Sequence, residues 1–236
     1  EGNEDVLRAR FADAKFFYDN DTRKPLEDHL PRLDTLTFQE QLGSMLDKSQ
    51  RLEKLAPIVG RALGLEKVEL ATVGRAAHLC KADLATQLVV KLTSLQGLMG
   101  REYARLSGES EAGATASFVQ RLPRSAGDSQ PETRPGLVLG LADRLDSLVG
   151  LFGVGLAPTG SADPYHLRRD ALGVVNNLIA DELYFDLREG LKTAAELLPV
   201  EAPEGTLEQV LAFIVGLLVG ALTQQLYRSS AVPGLM

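Results

Sequence analysis

Apolar residues recur along most of the chain three, four and seven positions apart, the spacing of helices that bury one side. Leu42, Met45, Leu46, Leu52 and Leu55 share one such face. Thr37, with Glu40 three residues on, has the spacing of a capping box, so this helix is expected to start at Thr37 and to end or kink at Pro57. Gly64 is expected to close the short helix after it. Upstream, residues 5–18 read as a helix with Phe11, Ala14 and Phe17 or Tyr18 on one face and Arg8 and Lys15 nearer its edge. Alone it has little to bury against and is expected to pack on the next domain. The Lys24-Pro25 and Leu30-Pro31 steps mark a boundary, because the residue before a proline is pushed out of the α region.

Two stretches mix helical spacing with polar residues that packing alone does not require. In residues 75–109, Ala77, Cys80, Ala85, Leu88 and Leu92 gather on one apolar side of a helix expected over residues 66–92. Lys81 falls inside that arc and His78 at its edge, while Asp83, Thr86 and Gln87 fall outside. Lys81 is either a stem that runs along the core and lifts its ammonium to water, or a lysine held for an anionic partner. Cys80 reads as a small core residue. In residues 135–164, Val138, Leu141, Ala142, Leu145, Leu148, Val149 and Phe152 form a second stripe. The opposite face carries Asp143, Asp146 and Ser147 with Gly140 and Gly150, which would let a backbone or a ligand approach two carboxylates. Two carboxylates three residues apart could hold a metal; spacing alone favours a solvated face with Arg144 beside it.

A helix from Leu95 on holds Met99, Tyr103 and Leu106, with Gly97 and Gly100 on one side, where close helix packing is expected, and Arg101 as the exposed neighbour. A helix is expected from Glu111 to Leu122 and a loop from Gly127 to Gly136. Ser161 and Asp163 before Pro164 read as an N-cap with proline at the first helical position. Arg168 and Arg169 then fall in the first two turns, where the helix dipole disfavours cations. A phosphate-rich partner is one use for that charge; pairing with Asp163, Asp170 or a neighbouring segment is the other. Helices are expected over residues 169–180 and 186–198, followed by a proline-bracketed linker. Thr206 caps a last helix that is apolar nearly all round and so is expected to be buried. Its apolar run from Val210 to Leu222 is too short to span a bilayer. No structure is assigned to the final eight residues. The fold class is all-α.

At 236 residues, 44% hydrophobic and 24% charged, the chain can bury a core and suits one large domain with smaller flanking pieces. A start at Glu1 suggests an excised piece. One cysteine cannot form an intramolecular disulfide, and the three histidines, at 29, 78 and 166, are scattered. There is no glycine-rich phosphate loop and no Cys or His cluster with zinc spacing, and no signal peptide is expected. A net charge of −7 argues against nonspecific coating of nucleic acid. RNA contact would be patchy, from Arg8, Arg10 and Lys15, from Arg121 and Arg124, or from Arg168 and Arg169.

Six strings carry a resemblance: GNEDVLRARFADAKFFYDND, TFQEQLGSMLDKSQRL, CKADLAT, LQGLMGREYA, LVLGLADRLDSLVGLF and APTGSADPYHLRRDAL. In this order and spacing, from about Gly2 to Tyr227, the chain resembles the beta subunit of bacterial two-subunit glycyl-tRNA synthetase. The resemblance implies an HD-domain-like helical bundle at residues 36–200. Residues 1–35 would be the edge of a preceding domain, and residues 201–236 a linker and the first helix of a following helical, anticodon-binding-like domain.

HD enzymes hold a divalent metal through histidines, an adjacent His-Asp pair and a distant Asp, so that it activates water. By resemblance the pair's positions here are Cys80 and Lys81, and Asp143 matches the distant Asp. The metal site is therefore expected to be lost, and no catalytic residue is assigned. The resemblance further implies a role in tRNA recognition and scaffolding within an ATP-dependent glycine-tRNA ligase. Its alpha subunit would carry the aminoacylation site, with ATP and Mg used by the holoenzyme and no cofactor in this stretch. Partners would be that alpha subunit and glycine tRNA, in the cytoplasm, with no membrane and no DNA. Lys81, Arg101, Arg168 and Arg169 are the candidate tRNA contacts, as phosphate contacts that position rather than specify. The rival readings are an active HD phosphohydrolase and a purely structural helical module.

Overall fold

The computed structural model describes residues 2–123 and 129–230 of the 236. Arg124, the beginning of the expected loop at Gly127, and the chain from Ala231 on lie outside the described residues. Among the described residues the fold is all-α apart from one short hairpin. Helix α1 (Gly2–Asp21) leads through a 3-10 segment, Leu26–Thr35, into antiparallel strands β1 (Thr37–Gln39) and β2 (Gly43–Ser44). Then come α2 (Met45–Ala62), α3 (Lys67–Leu79), a 3-10 turn at Ala82–Ala85, α4 (Gln87–Lys91) and α5 (Leu98–Leu106). The rest is α6 (Glu111–Val119), α7 (Arg134–Gly153), α8 (Leu167–Ala180), α9 (Leu187–Glu196) and α10 (Thr206–Ser230).

Thr37 does not start a helix. The Gln39 side-chain oxygen accepts the backbone N–H groups of Gln41 and Leu42, and Gly43 takes a φ of +86°, so residues 37–44 turn as a hairpin. The capping box lies further on: Asp47 N–H donates to Ser44 Oγ at 3.2 Å, and Ser44 N–H to Asp47 Oδ2 at 2.7 Å. Pro57 neither ends this helix nor delimits a second, for α2 runs through it to Ala62.

The helix expected over residues 66–92 is broken. α3 stops at Leu79 and helix resumes only at Gln87, because Asp21 at the end of α1 accepts the Gln87 and Leu88 N–H groups at 2.8 and 2.9 Å. A carboxylate on those orphan donors starts α4 from across the fold. The break also overturns the predicted faces: Asp83 and Thr86 are buried, not outside an apolar arc.

α7 is the hub, in contact with α2, α3, α6, α8, α9 and α10. Leu137, Leu139, Leu141, Leu145 and Leu148 are all buried on it, pointing in different directions, as a helix inside a bundle requires. A second apolar cluster joins Leu26, Leu30 and Leu33 of the first 3-10 segment to Leu88, Met99 and Tyr103. α10 is not buried all round as expected. Val210 and Ile214 are buried on the bundle, whereas Val215 and Val219 are 52% and 57% exposed.

Candidate functional site

Burial of α7 on all sides forces its polar residues inward, where they need partners. α2 supplies them. Lys48 Nζ lies 2.7 Å from Asp146 Oδ2, 3.0 Å from Asp143 Oδ1 and 2.9 Å from Ser147 Oγ, and sits 4.5 Å from the Phe38 ring centroid. Arg51 Nε donates to Asp146 Oδ1 at 2.6 Å, and its Nη1 to the Leu42 carbonyl at 2.9 Å. Lys81, in the turn after α3, donates from Nζ to Asp143 Oδ2 at 2.5 Å. The acidic residues of α7 are thus not a solvated face, and Arg144 beside them is buried too.

Arg144 spans the wall between α6, α7 and α8. It donates to the Gln120 and Leu122 carbonyls at 3.2 and 2.8 Å, placing a cation at the C-terminal end of α6, where the dipole favours one. Gly140 admits this arrangement: a Cβ there would run into the Gln120 carbonyl and stand 2.8 Å from Arg144 Nη1. Gly100 and Gly97 serve a different close approach from helix against helix. Gly97, at φ +81°, caps α5 and donates to buried Asp83 at 2.6 Å, and a Cβ at Gly100 would meet that carboxylate at 3.1 Å.

Electrostatics follow from the partners. Burial alone would raise the Asp143 carboxyl, but the Lys81 and Lys48 ammoniums outweigh it and hold Asp143 below the usual carboxylate range. Asp146 is likewise held low, with burial opposed by Lys48 and Arg51. Burial pushes Asp83 and Asp170 up, and lifts the Cys80 thiol to about 12. The donor set does not fit a divalent cation. Asp143 is bracketed by two ammoniums, and among the described residues no group of three His, Cys, Asp or Glu side chains stands together as ligands.

Beside this ionic core opens a polar cleft of about 560 Å³, within the usual range for small-ligand sites. Lys81, Arg121, Arg144 and Arg169 line it, with Asp143 and Asp170. Of the four basic candidates, Lys81 and Arg169 are brought to one cleft, Lys81 buried in its wall and Arg169 exposed. Arg101 is half-buried with its guanidinium 4.5 Å from the Phe118 ring centroid, more engaged than the exposed neighbour expected of it. Arg168 donates to the Gly160 carbonyl at 2.7 Å, close to Asp163. Asp163 does act as a cap, through the Leu167 and Arg168 N–H groups, but α8 begins at Leu167 rather than Pro164. Lys48 and Arg51 escaped the sequence reading, although Lys48 stands four and seven residues before Leu52 and Leu55, a cation on an apolar stripe.

Fold and site together define an all-α module with an internal ion-pair network opening on a polar, largely cationic cleft. The family model of the glycyl-tRNA synthetase beta subunit matches residues 1–235. The chain is 52% identical over 194 residues to the glycine–tRNA ligase beta subunit of Trichodesmium erythraeum, an alignment covering 82% of this chain and 27% of that protein. It is 51% identical over 207 residues to the corresponding subunit of Desulforudis audaxviator, covering 86% and 30%. The chain belongs to the glycyl-tRNA synthetase beta subunit family. It spans less than a third of the length of these relatives.

Proposed function

We propose that this stretch serves a two-subunit glycine-tRNA ligase as a scaffold and as a tRNA-contacting surface. On this reading ATP, Mg²⁺ and the aminoacylation site belong to the alpha subunit, and the enzyme works in the cytoplasm. Residues 1–35, 36–200 and 201–236 belong to successive domains, the middle one HD-like. The observation that carries the reading is the cleft beside α7. On a chain of net charge −7 it gathers four cations, at the kind of concave basic site that RNA phosphates seek.

Arg169 is the contact at the cleft, and Arg101 and Arg168 extend the surface. Lys81 acts chiefly as a built-in cation. Its ammonium on Asp143 stands where an HD enzyme would need metal, which disfavours the phosphohydrolase reading. Aminoacylation kinetics of the complete enzyme test the proposal. Alanine at Arg101, Arg168 and Arg169 together raises KM for glycine tRNA about tenfold or more, with KM for glycine and ATP unchanged. An unchanged KM for tRNA leaves only the scaffold role.

A further inference from the structure

Resting on the reading of this face as a tRNA-contacting surface, we infer that the turn before α8 is a platform on which an unpaired nucleobase of the RNA stacks, with Tyr165 and His166 as the rings and Arg169 as the cation for the adjoining phosphate. Bases that have left the helix are the ones proteins read on RNA, and they stack on aromatic faces. In Tyr165-His166-Leu167-Arg168-Arg169 two exposed rings stand directly before two arginines. Tyr165 is 36% exposed. Among the described residues neither ring makes a hydrogen bond, an ion pair or a contact with another ring.

The backbone that carries these rings is pinned. Thr159 and Ala162 exchange N–H to carbonyl bonds at 3.1 and 2.8 Å, and His166 N–H donates to the Asp163 carbonyl at 3.1 Å across Pro164 and Tyr165. Proline presets the first corner of such a turn. His166 then takes a φ of +58°, a conformation uncommon outside glycine. A platform fixed in advance spends little ordering entropy on binding. The charges nearby are mostly committed. Asp163 accepts the Leu167 and Arg168 N–H groups, Arg168 donates to the Gly160 carbonyl, and Asp170 is half-buried. Arg169, four positions after Tyr165, is exposed with no hydrogen bond or ion pair among the described residues.

The other exposed aromatic side chains suit RNA less well. Phe11, Phe16 and Tyr18 lie on α1, which carries more carboxylates than cations. Tyr184 is 93% exposed but stands between Glu182 and Asp186, whose charges repel a phosphate backbone. Stacking platforms for single strands work beside cations, and only the turn before α8 combines the two.

The test titrates the complete polypeptide that carries this chain with glycine tRNA and with a fully paired RNA duplex, across salt and well below the unfolding midpoint of each variant. Tyr165→Ala is expected to weaken binding of glycine tRNA about tenfold, the scale of one lost stack, and to leave the duplex unaffected. Tyr165→Leu, which keeps apolar packing without a ring, shows the same loss, and Tyr165→Phe keeps the parent affinity. Stacking releases no counterion, so the slope of log affinity against log salt is unchanged in Tyr165→Ala, whereas Arg169→Ala flattens it by about 1. Parent affinity for glycine tRNA in both Tyr165→Ala and Tyr165→Leu overturns the inference. So does an equal loss for tRNA and duplex, which would make Tyr165 a support for the arginines and not a platform. In either case a flattened slope in Arg169→Ala still sustains the proposed function; if alanine at Arg101, Arg168 and Arg169 together is also without effect, both fall.

Discussion

Lys81 and Asp143, 62 positions apart in sequence, meet at 2.5 Å between Nζ and Oδ2, and their contact ends a line of alternating charge that continues through Lys48, Asp146 and Arg51. The line ties the turn after α3 and the start of α2 to the middle of α7. Each carboxylate has a cation on either side, which is the condition for leaving charges inside a protein at tolerable cost.

Cutting the line at different points has unequal effects. Asp146→Ala leaves Arg51 buried without a carboxylate and Lys48 with Asp143 alone, and costs about 3 to 5 kcal/mol. Lys81→Ala leaves Asp143 still paired with Lys48 and costs about 2 kcal/mol, the scale of one charged hydrogen bond. Urea unfolding checks the order through the midpoints at constant m value; equal midpoints for the two variants contradict it.

Acid weakens the same line. The folded-state pKa values of Asp143 and Asp146 are depressed, so their contribution is fully present above the unfolded carboxylate pKa of about 4 and is lost as pH falls through the folded values. Asp83 and Asp170, raised by burial, act in the opposite sense, their contribution shrinking as pH climbs above about 4. Unfolding midpoints between pH 6 and pH 2 are expected to fall below pH 4, and less steeply in Asp143→Asn. A slope identical to that of the parent chain refutes the assignment.

Gly140→Ala and Gly74→Ala sit in helices yet differ in sign. A Cβ at Gly74 meets nothing within 4 Å, so alanine there gains up to about 1 kcal/mol of helix propensity. At Gly140 the new carbon collides with the Gln120 carbonyl and crowds Arg144, and the loss is about 1 to 3 kcal/mol. Thermal unfolding of the two variants reads the contrast directly.

Much of the fold is legible in the sequence: apolar spacing marks α2 and α7, and helices are expected close to where α6, α8 and α9 form. What failed did so for tertiary reasons. The run over residues 66–92 looks continuous until Asp21 caps α4 from another part of the chain. The polar face of α7 looks solvated until Lys48 and Arg51 cover it. Lys81 and Asp143 each stand out in the sequence, but spacing within one helix cannot show that they meet.

Cys80 is expected to stay inert in the folded protein. It is 5% exposed, its thiol donates to the Ala77 carbonyl, and burial lifts its pKa to about 12. A thiol-labelling reagent at pH 8 modifies it only at the rate of unfolding; fast labelling of native protein contradicts that packing.

The central claim is that the basic face beside α7 touches glycine tRNA, and binding measured across salt tests it most directly. Glycine tRNA and an unrelated tRNA are titrated against the complete polypeptide, with alanine at Lys81, Arg101, Arg168 and Arg169 singly and together. Loss of one phosphate contact flattens the slope of log affinity against log salt by about 1. The account predicts that flattening for Arg169→Ala and a larger one for the combined variant, with glycine tRNA preferred throughout. Unchanged affinity and slope in every variant would contradict it and leave this helical bundle a scaffold alone.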